Sequence, residues 1–161
     1  MPSVRDFRLG VISDTHGLLR PEALAALHGS DLILHAGDIG SPEILPALES
    51  IAPVRAIRGN IDEKLSWAKF LPSTEVAEVN DRQVYMLHNL AELDLNPKAA
   101  GFTAVLFGHS HKPEFYWKDE VLYFNPGSAG PRRFSLPISV GRITLHKGEL
   151  VPELITLHIA K

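Results

Sequence analysis

The strongest constraint on the fold is a series of short apolar segments, each followed at once by glycine and polar residues. The segments are strand-length and rich in Val, Ile and Leu: residues 8–13, 31–36, 54–58, 84–87 and 103–107. Apolar residues fill most of their positions, which is typical of strands buried on both faces of a sheet. We therefore expect these segments to form the centre of an α/β structure.

Two segments between the first three strands have helix signals. Residues 21–29 begin with proline and end with glycine, which is the usual polarity of helix ends. Residues 41–50 begin with Ser41 as the predicted N-cap and Pro42 at the first helical position. The first part of the chain is therefore a predicted β-α-β-α-β unit with right-handed crossovers.

The second half of the chain is predicted to be mostly strands. Its strand-like segments, joined by short polar turns, are residues 114–118, 120–124, 138–145 and 149–157. Together with the first half they predict a layered α/β structure with more than one sheet. The length of 161 residues suits one compact domain, so we expect residues 1–161 to form a single domain.

Composition and charge exclude several classes of function. The chain has no cysteine, which excludes disulfide frameworks, thiolate catalysis and cysteine-ligated metals. Its net charge of −3 gives no general attraction for nucleic acids or anionic membranes, so an anion site must be local. Charged residues at positions 5, 6 and 8 interrupt any secretory signal, and no apolar run reaches membrane-spanning length. We expect a cytoplasmic protein without a membrane partner.

Each of the five apolar segments ends at residues able to bind a metal ion. These residues are Asp14, His16, Asp38, Asn60, His88, His109 and His111. A lone Asp, Asn or His at a strand end is commonly structural, because such residues suit turns. Four of the eight histidines, however, lie at these ends. Since sites assemble at the carboxyl ends of strands in α/β sheets, the combination predicts one shared site.

The ligand types restrict the metal. Imidazole nitrogen and carboxylate or amide oxygen, without sulfur, suit Mn, Fe, Co, Ni or Zn. Seven side chains are too many for one catalytic ion, which must keep an open position. Two ions that share one carboxylate accommodate all seven, and such a pair leaves a net positive centre that attracts phosphate.

The ordered motifs resemble those of the calcineurin-like metallophosphoesterase superfamily. They are Asp14-Thr15-His16, Gly37-Asp38, Gly59-Asn60-Ile61-Asp62, His88, Gly108-His109-Ser110-His111 and Asn125-Pro126-Gly127-Ser128. The Gly-Asn-x-Asp form resembles the small bacterial and archaeal phosphodiesterases of this superfamily. The resemblance implies a four-layer α/β sandwich in which two mixed β-sheets lie between helices.

The resemblance also implies a role for each predicted ligand. One ion would be held by Asp14, His16, Asp38 and His111, and the other by Asp38, Asn60, His88 and His109, with Asp38 bridging. The implied activity is hydrolysis of a small phosphodiester through in-line attack of a metal-bridging hydroxide on phosphorus. Manganese is the first choice of metal, and Fe, Ni, Co or Zn are alternatives.

Two positions depart from the superfamily pattern. Ile61 stands where the superfamily carries a histidine that is commonly assigned to leaving-group protonation or substrate orientation, so we expect poor hydrolysis of phosphomonoesters. Asn89 replaces a common glycine and is compatible with a left-handed turn. We further name Asn60 and Asp62 as candidate catalytic residues and Arg132 as a candidate phosphate contact.

Several alternatives remain open at this point. His35 fits a buried histidine that supports the ligands better than it fits a ligand. The main alternative function is a protein-interaction scaffold, because a retromer subunit of the same fold serves chiefly as a binding platform. A nuclease has less support, since no basic strip or aromatic platform is evident. A homo-oligomer is also open, because the aromatic residues of 115–124 could form an exposed surface.

Overall fold

The computed structural model describes residues 5–159, which build two five-stranded sheets. The first sheet consists of β1 (Phe7–Ile12), β2 (Leu32–His35), β3 (Val54–Ala56), β9 (Ser139–His146) and β10 (Glu149–Thr156). The second consists of β4 (Thr74–Val79), β5 (Arg82–Leu87), β6 (Phe102–Leu106), β7 (Glu114–Lys118) and β8 (Val121–Asn125). The outermost positions of the predicted domain, 1–4 and 160–161, lie outside the described residues.

Both sheets are mixed. The first has the strand order β10-β9-β1-β2-β3, in which β1, β2 and β3 run parallel and β9 is antiparallel to both β1 and β10. The second has the order β4-β5-β6-β8-β7, with β5, β6 and β8 parallel and an antiparallel strand at each edge. This topology confirms the predicted α/β sandwich with two mixed sheets.

The two short helices follow the predicted β-α-β-α-β order. They are α1 (Pro21–Leu27) and α2 (Ile44–Glu49), and single 3-10 turns occur at Asp62–Lys64, Ser66–Ala68 and Leu90–Glu92. The predicted N-cap at Ser41 is wrong, because α2 begins at Ile44 and has no side-chain cap. The Ser41 hydroxyl instead donates a hydrogen bond to the carboxylate of Glu43.

Within residues 5–159, no helix is both long and apolar enough to cross a membrane.

The apolar core has three parts that follow the layers. The central part lies between the sheets and includes Leu9, Val11, Met86, Leu106 and Phe124. A second part joins α1 and α2 to the outer face of the first sheet. Among the described residues, the outer face of the second sheet is covered by the segment that carries the 3-10 turn Leu90–Glu92 and by Leu93 and Leu95. The fourth layer is therefore thin. The carboxyl ends of strands from both sheets meet at one edge of the sandwich.

One strand was missed by sequence reasoning. The segment Thr74–Val79 has the sequence Thr-Glu-Val-Ala-Glu-Val, and it pairs antiparallel with β5 as an edge strand. Ala77 and Val79 pack into the core between the sheets, whereas Val76 packs on the outer face of the second sheet. Glu75 and Glu78 interrupt both faces, so neither a continuous apolar run nor a regular alternation marks this strand in the sequence.

Candidate metal centre

The predicted ligands follow the carboxyl ends of strands from both sheets, and their loops are joined by backbone hydrogen bonds. Within the first sheet the amide of Asp14 donates to the carbonyl of Gly37, at 3.0 Å. Within the second sheet the amide of Gly108 donates to the carbonyl of His88, also at 3.0 Å. The amide of His109 then crosses between the sheets to the Asp14 carboxylate, at 3.2 Å. The four loops therefore form one rigid edge.

Two groups of side chains at this edge have the geometry of a metal site. The first consists of Asp14, His16 and His111, and the second of Asp14, Asp38 and His88. Within each group one ligand atom per residue lies within 4.8 Å of the others. The structure therefore brings together five of the predicted ligands, with Asp14 shared between the two groups.

The backbone at these ligands is unusual. Asp14, His16, Asp38, His109 and His111 have φ angles between 46° and 72°, in the left-handed region that non-glycine residues rarely adopt. These five are half of the ten described non-glycine residues with positive φ. Backbone strain concentrated in this way is typical of functional sites, where the surrounding structure must hold the residues in place.

Two glycines allow the ligand loops to approach each other. A Cβ atom added at Gly59 would lie 2.1 Å from Oδ1 of Asp38, and one added at Gly108 would lie 2.6 Å from Oδ2 of Asp14. We expected glycines here because they let the chain turn sharply. At these two positions the structural reason is instead the space that a side chain would occupy.

Asp14 is buried, and one of its oxygens has no hydrogen-bond donor. Its Oδ2 accepts hydrogen bonds from the Ser13 hydroxyl at 2.8 Å and from the His109 amide at 3.2 Å. Its Oδ1 lacks a hydrogen-bond partner although three imidazole Nε2 atoms surround it. Those of His16, His88 and His111 lie at 3.8, 3.8 and 3.4 Å. A buried carboxylate oxygen left in this state is costly unless a cation satisfies it.

Asp38 lies between His16 and His88. Its Oδ2 is 3.6 Å from Nε2 of His16 and 3.2 Å from Nε2 of His88, while its Oδ1 accepts from the Ile61 amide at 3.1 Å. Burial alone would raise the pKa of Asp38, but the hydrogen bond and charge of His88 outweigh it and lower that pKa. Asp38 is therefore held as a carboxylate, the form that binds metal.

His88 is oriented by the backbone. Its Nδ1 lies 2.8 Å from the carbonyl of Ala36, which can only accept, so Nδ1 carries the proton and donates. Nε2 is thereby directed at the two carboxylates. Burial lowers the pKa of His88, but Asp38 and Asp14 outweigh it and raise that pKa in the metal-free protein. A hydrogen bond from the distal nitrogen to a carbonyl is the usual second-sphere support of a ligating histidine.

Asn60 lies at the second ligand group. Its side-chain amide is 3.2 Å from both carboxylate oxygens of Asp38 and from Nε2 of His88. The amide nitrogen can donate to these atoms in the metal-free protein, and the amide oxygen is the atom that would ligate a cation. A divalent ion bound at about 2.1 Å from each ligand separates neighbouring ligand atoms by about 3–3.5 Å. The observed spacing therefore fits a bound ion.

The two histidines of the Gly108–His111 motif differ in position. His111 is buried and belongs to the first ligand group, and burial lowers its pKa, which favours the neutral form that ligates metal. His109 is exposed, and its ring lies edge-on to the ring of His88 with centroids 5.2 Å apart. His109 is thus beside the second ligand group but outside it, and its role as a ligand stays a prediction.

The Asn125–Ser128 motif supports the same loops from beneath. The Asn125 amide nitrogen donates to the Gly108 carbonyl at 3.2 Å and to the Ser110 hydroxyl at 3.1 Å. The Ser128 hydroxyl donates to the Asp14 carbonyl at 2.9 Å. This motif therefore fixes two of the loops that carry ligands without reaching the ion positions itself.

His35 also supports the ligands. It is fully buried, and its Nδ1 accepts a hydrogen bond from the Gly37 amide at 3.1 Å. Its Nε2 therefore carries the proton and donates to the Thr15 hydroxyl at 3.0 Å, and that hydroxyl donates to the Ile39 carbonyl at 2.9 Å. Burial is the main cause that lowers the pKa of His35 to about 4. A neutral His35 thus connects the loops that follow β1 and β2.

Asp62, a candidate catalytic residue, uses its carboxylate to accept hydrogen bonds from the backbone. Its buried carboxylate accepts hydrogen bonds from the amides of Ile39, Gly40 and Gly59 at 2.9–3.0 Å. These bonds hold the Asp38 loop against the turn that carries Asn60. The geometry favours a positioning role for Asp62, and its catalytic role stays a prediction.

The remaining sequence predictions concern Arg132 and Asn89, which lie outside the two ligand groups. Arg132 is exposed, and its guanidinium makes no hydrogen bond or ion pair within residues 5–159. Its neighbour Arg133, which follows the same glycine-rich turn and was ranked below Arg132 from the sequence, is close enough for its charge to lower the pKa of His111. Asn89 is compatible with a left-handed turn but does not adopt one: its φ is −112°, and its side-chain oxygen accepts from the Ala91 amide and caps the following 3-10 turn.

A cleft of about 300 Å³ opens beside the second ligand group. Asn60, His88 and His109 form the part of its wall next to the candidate metal positions. The rest of the lining combines charged residues, among them Arg58, Glu63 and Glu92, with the apolar side chain of Leu87. A group attached to a phosphate at the metal positions could therefore extend into this cleft.

Comparison of the sequence with known proteins gives a consistent result. A sequence model of the calcineurin-like phosphoesterase superfamily domain matches residues 7–148. A probable metallophosphoesterase from Methanothermobacter thermautotrophicus is 33% identical over 141 residues, which cover 80% of this chain and 81% of the relative. A phosphodiesterase from Methanocaldococcus jannaschii is 25% identical over 160 residues, covering 88% and 95%.

Solved structures share the fold at low sequence identity. A predicted phosphoesterase from Streptococcus pneumoniae has a TM-score of 0.74 and 21% identity, covering 96% of this chain and 91% of that protein. Vacuolar protein sorting 29 from Cryptosporidium parvum has a TM-score of 0.72 and 17% identity, covering 92% and 96%. At these identities the likeness concerns the fold.

Proposed function

This chain belongs to the calcineurin-like phosphoesterase superfamily, and from that premise we propose that it is a metal-dependent phosphodiesterase with a two-metal centre. The seven proposed ligands are those expected from the sequence, with Asp38 between the two ions and manganese as the first choice of metal. The proposed substrate is a small phosphodiester. The similarity to a phosphodiesterase from Methanocaldococcus jannaschii supports this choice over a general phosphatase.

The single observation that carries the proposal is the unsatisfied state of the ligand atoms. Asp14 Oδ1 and His16 Nε2 are buried without hydrogen-bond partners. They lie 3.8 Å apart, which is too far for a hydrogen bond between them. Divalent cations would satisfy them, which makes metal binding the simplest explanation of the arrangement.

Two such ions supply activation of water for in-line attack on phosphorus and neutralisation of charge on the non-bridging oxygens. The residues of the chain keep the ligands in register for this chemistry. Asp62 and His35 tie the ligand loops together through backbone and Thr15 hydrogen bonds. Arg133 adds positive charge on the His111 side, where it would favour the binding of an anionic phosphate.

Ile61 supports diesters with good leaving groups as the preferred substrates. Its backbone amide donates to Asp38, while its apolar side chain has no proton to give to a departing oxygen. Asp62 cannot take over that role, because its carboxylate accepts three backbone amides. An alkoxide leaving group would therefore depart without assistance from this position, whereas a nitrophenolate needs none.

The proposal is tested by hydrolysis of bis(4-nitrophenyl) phosphate with Mn²⁺, with and without a chelator. We expect chelator-sensitive turnover that His88→Ala reduces by at least about 10²-fold, since removing a catalytic group of this kind costs that order. His28→Ala is the matched control, because His28 is exposed at the end of α1, and it should leave the rate unchanged. Absence of metal-dependent turnover in the wild type would overturn the proposal.

The second candidate is a protein-interaction scaffold with little catalysis. It is supported by the shared fold with vacuolar protein sorting 29. The two candidates differ in the test above: a scaffold could bind Mn²⁺ for structure alone and would then show metal-dependent stability without metal-dependent turnover.

A further inference from the structure

One sheet edge differs from the other three. Edge strands expose unpaired backbone N–H and C=O groups, and proteins usually protect them with short length, proline or charge. β3 has three residues, β10 carries Pro152 in its interior, and β4 carries Glu75 and Glu78. β7 is neither very short nor interrupted by proline. Its charged residues, Glu114 and Lys118, have opposite signs.

β7 also carries an exposed aromatic surface. Phe115, Tyr116 and Trp117 are 41%, 39% and 51% exposed, and clustered exposed apolar side chains commonly mark interaction sites. Phe115 is stacked on Phe124 and Tyr116 on Tyr123, so the rings are held in order by β8. No element within residues 5–159 pairs with the outer edge of β7.

The geometry of the β7–β8 hairpin determines which backbone groups point outward. Lys118 pairs with Val121 across a two-residue turn, in which Asp119 and Glu120 have φ angles of 50° and 67°. Such a turn closes on a hydrogen-bonded pair, and these pairs alternate along the ladder. The N–H and C=O groups of Glu114, Tyr116 and Lys118 therefore face β8. Those of Phe115 and Trp117 face solvent.

From these features we propose that β7 pairs antiparallel with β7 of a second copy of this chain, with the two-fold axis at Tyr116. Phe115 then lies opposite Trp117 of the second copy, and both are residues with outward-facing backbone groups. The two equivalent pairs form about four hydrogen bonds. The sheets join into one continuous ten-stranded sheet, because each contributes five strands.

Charge selects this register over its neighbours. With the axis at Tyr116, Glu114 lies opposite Lys118 of the second copy, and symmetry produces this pair twice. The next registers that match outward-facing groups have their axis at Phe115 or at Trp117. An axis at Phe115 sets Lys112 against Lys118, and an axis at Trp117 sets Glu114 against Glu120. Like charges directly opposite each other destabilise a ladder, so the register at Tyr116 is favoured.

The interface is small, which determines the strength of the association. One five-residue ladder with its aromatic side chains buries less than the standard interface of about 1,600 Å². The dimer should therefore dissociate on dilution, with a dissociation constant in the micromolar range. Sedimentation velocity of the full chain from about 5 µM to about 500 µM covers this range.

Two charge reversals test the register directly. Glu114→Lys and Lys118→Glu each replace two attractive pairs by two repulsive ones, so each should weaken dimerisation by about tenfold or more. An equimolar mixture of the two variants regains both attractive pairs and should form a heterodimer, as should the double variant with itself. Circular dichroism controls for folding, since both positions lie on an edge strand.

The result that supports the proposal is a concentration-dependent dimer whose loss in each single variant is reversed by mixing. The proposal is overturned by a wild type that stays monomeric throughout the range. It is equally overturned by an oligomer that both single variants retain, or by variants that remain folded monomers when mixed.

Discussion

At the residue scale, hydrogen bonds to the backbone determine which histidine nitrogens at the candidate site are available to bind metal. The Ala36 carbonyl accepts a hydrogen bond from Nδ1 of His88, and the Gly37 amide donates a hydrogen bond to Nδ1 of His35. The first hydrogen bond directs Nε2 of His88 toward the carboxylates of Asp14 and Asp38. The second occupies Nδ1 of His35, so His35 supports the ligand loops instead of binding metal. Sequence alone ranked His35 below the ligands, and the hydrogen bonds give the physical reason.

Asp38 is the residue whose substitution should have the widest effect if it bridges the two ions as the sequence predicts. Its carboxylate faces both His16 and His88, while Asp14 is the residue that the two ligand groups share, so the bridging role of Asp38 stays a prediction. With that role, Asp38→Asn should lose activity and lower metal content at both positions, whereas His88→Ala should mainly empty one. Metal analysis of the dialysed proteins checks this, and an Asp38→Asn protein with normal stoichiometry would contradict the bridging assignment.

Ile61→His should change the dependence of the rate on the leaving group. A well-placed general acid is worth roughly 10²–10⁴-fold where the leaving group is poor. The gain should lie near the lower end, about 10²-fold, because the Asp62 carboxylate is already bonded to backbone amides and cannot orient the ring. The test compares the rates at which the wild type and Ile61→His hydrolyse alkyl and nitrophenyl esters at matched metal loading. An unchanged leaving-group dependence would instead assign Ile61 to shaping the pocket.

At the element scale, the strands that carry the ligands were largely predictable from the sequence, whereas the residues that support the ligand loops were not. Continuous apolar runs located the strands that carry ligands, because burial on both faces leaves that pattern in the sequence. The strand β4 was missed because Glu75 and Glu78 interrupt its apolar residues, and the role of Asp62 was missed because backbone amides leave no signal in a sequence. The charge of Arg133 reaches His111, and this proximity depends on a loop path that the sequence does not show.

The close approach of the loops gives a prediction for Gly108. An added Cβ would lie 2.1 Å from the Ser13 hydroxyl and 2.6 Å from Oδ2 of Asp14, so Gly108→Ala should displace that carboxylate. We expect weaker metal binding, lost activity and a stability loss of about 1–3 kcal/mol. Gly101→Ala is the control, since its Cβ meets nothing within 4 Å while its φ of +87° still strains the backbone. Calorimetric Mn²⁺ binding that is equally affected in both variants would contradict this account.

At the scale of the whole molecule, the core does not depend on metal. Buried apolar residues from both sheets form a continuous layer between them, and each buried Leu or Phe contributes about 1.5–3 kcal/mol. The metal-free protein should therefore stay folded, and bound ions should raise its stability by mass action. In this respect the chain differs from small zinc domains, whose folding requires the ion.

The burial of His35 should make the stability of the protein sensitive to acid. Its pKa is about 4 in the folded protein, against about 6.5 when unfolded, so between these values only the unfolded chain binds the proton. Stability should fall as the pH drops from about 6.5 to about 4, by at most about 1.4 kcal/mol per pH unit. Urea unfolding of the metal-free wild type and His35→Gln tests this. Equal pH slopes in both proteins would contradict the assignment, since the other titrating groups are common to both.

The proposed claim about function is that the chain hydrolyses a phosphodiester with two divalent ions bound at the joined strand ends. The most direct test is to titrate the metal-free protein with Mn²⁺ and to measure both the bound metal and the hydrolysis of bis(4-nitrophenyl) phosphate. We predict a rate that rises until about two ions are bound per chain and that a chelator abolishes. A chain that binds two ions without turnover, or turns over with none bound, would contradict the claim.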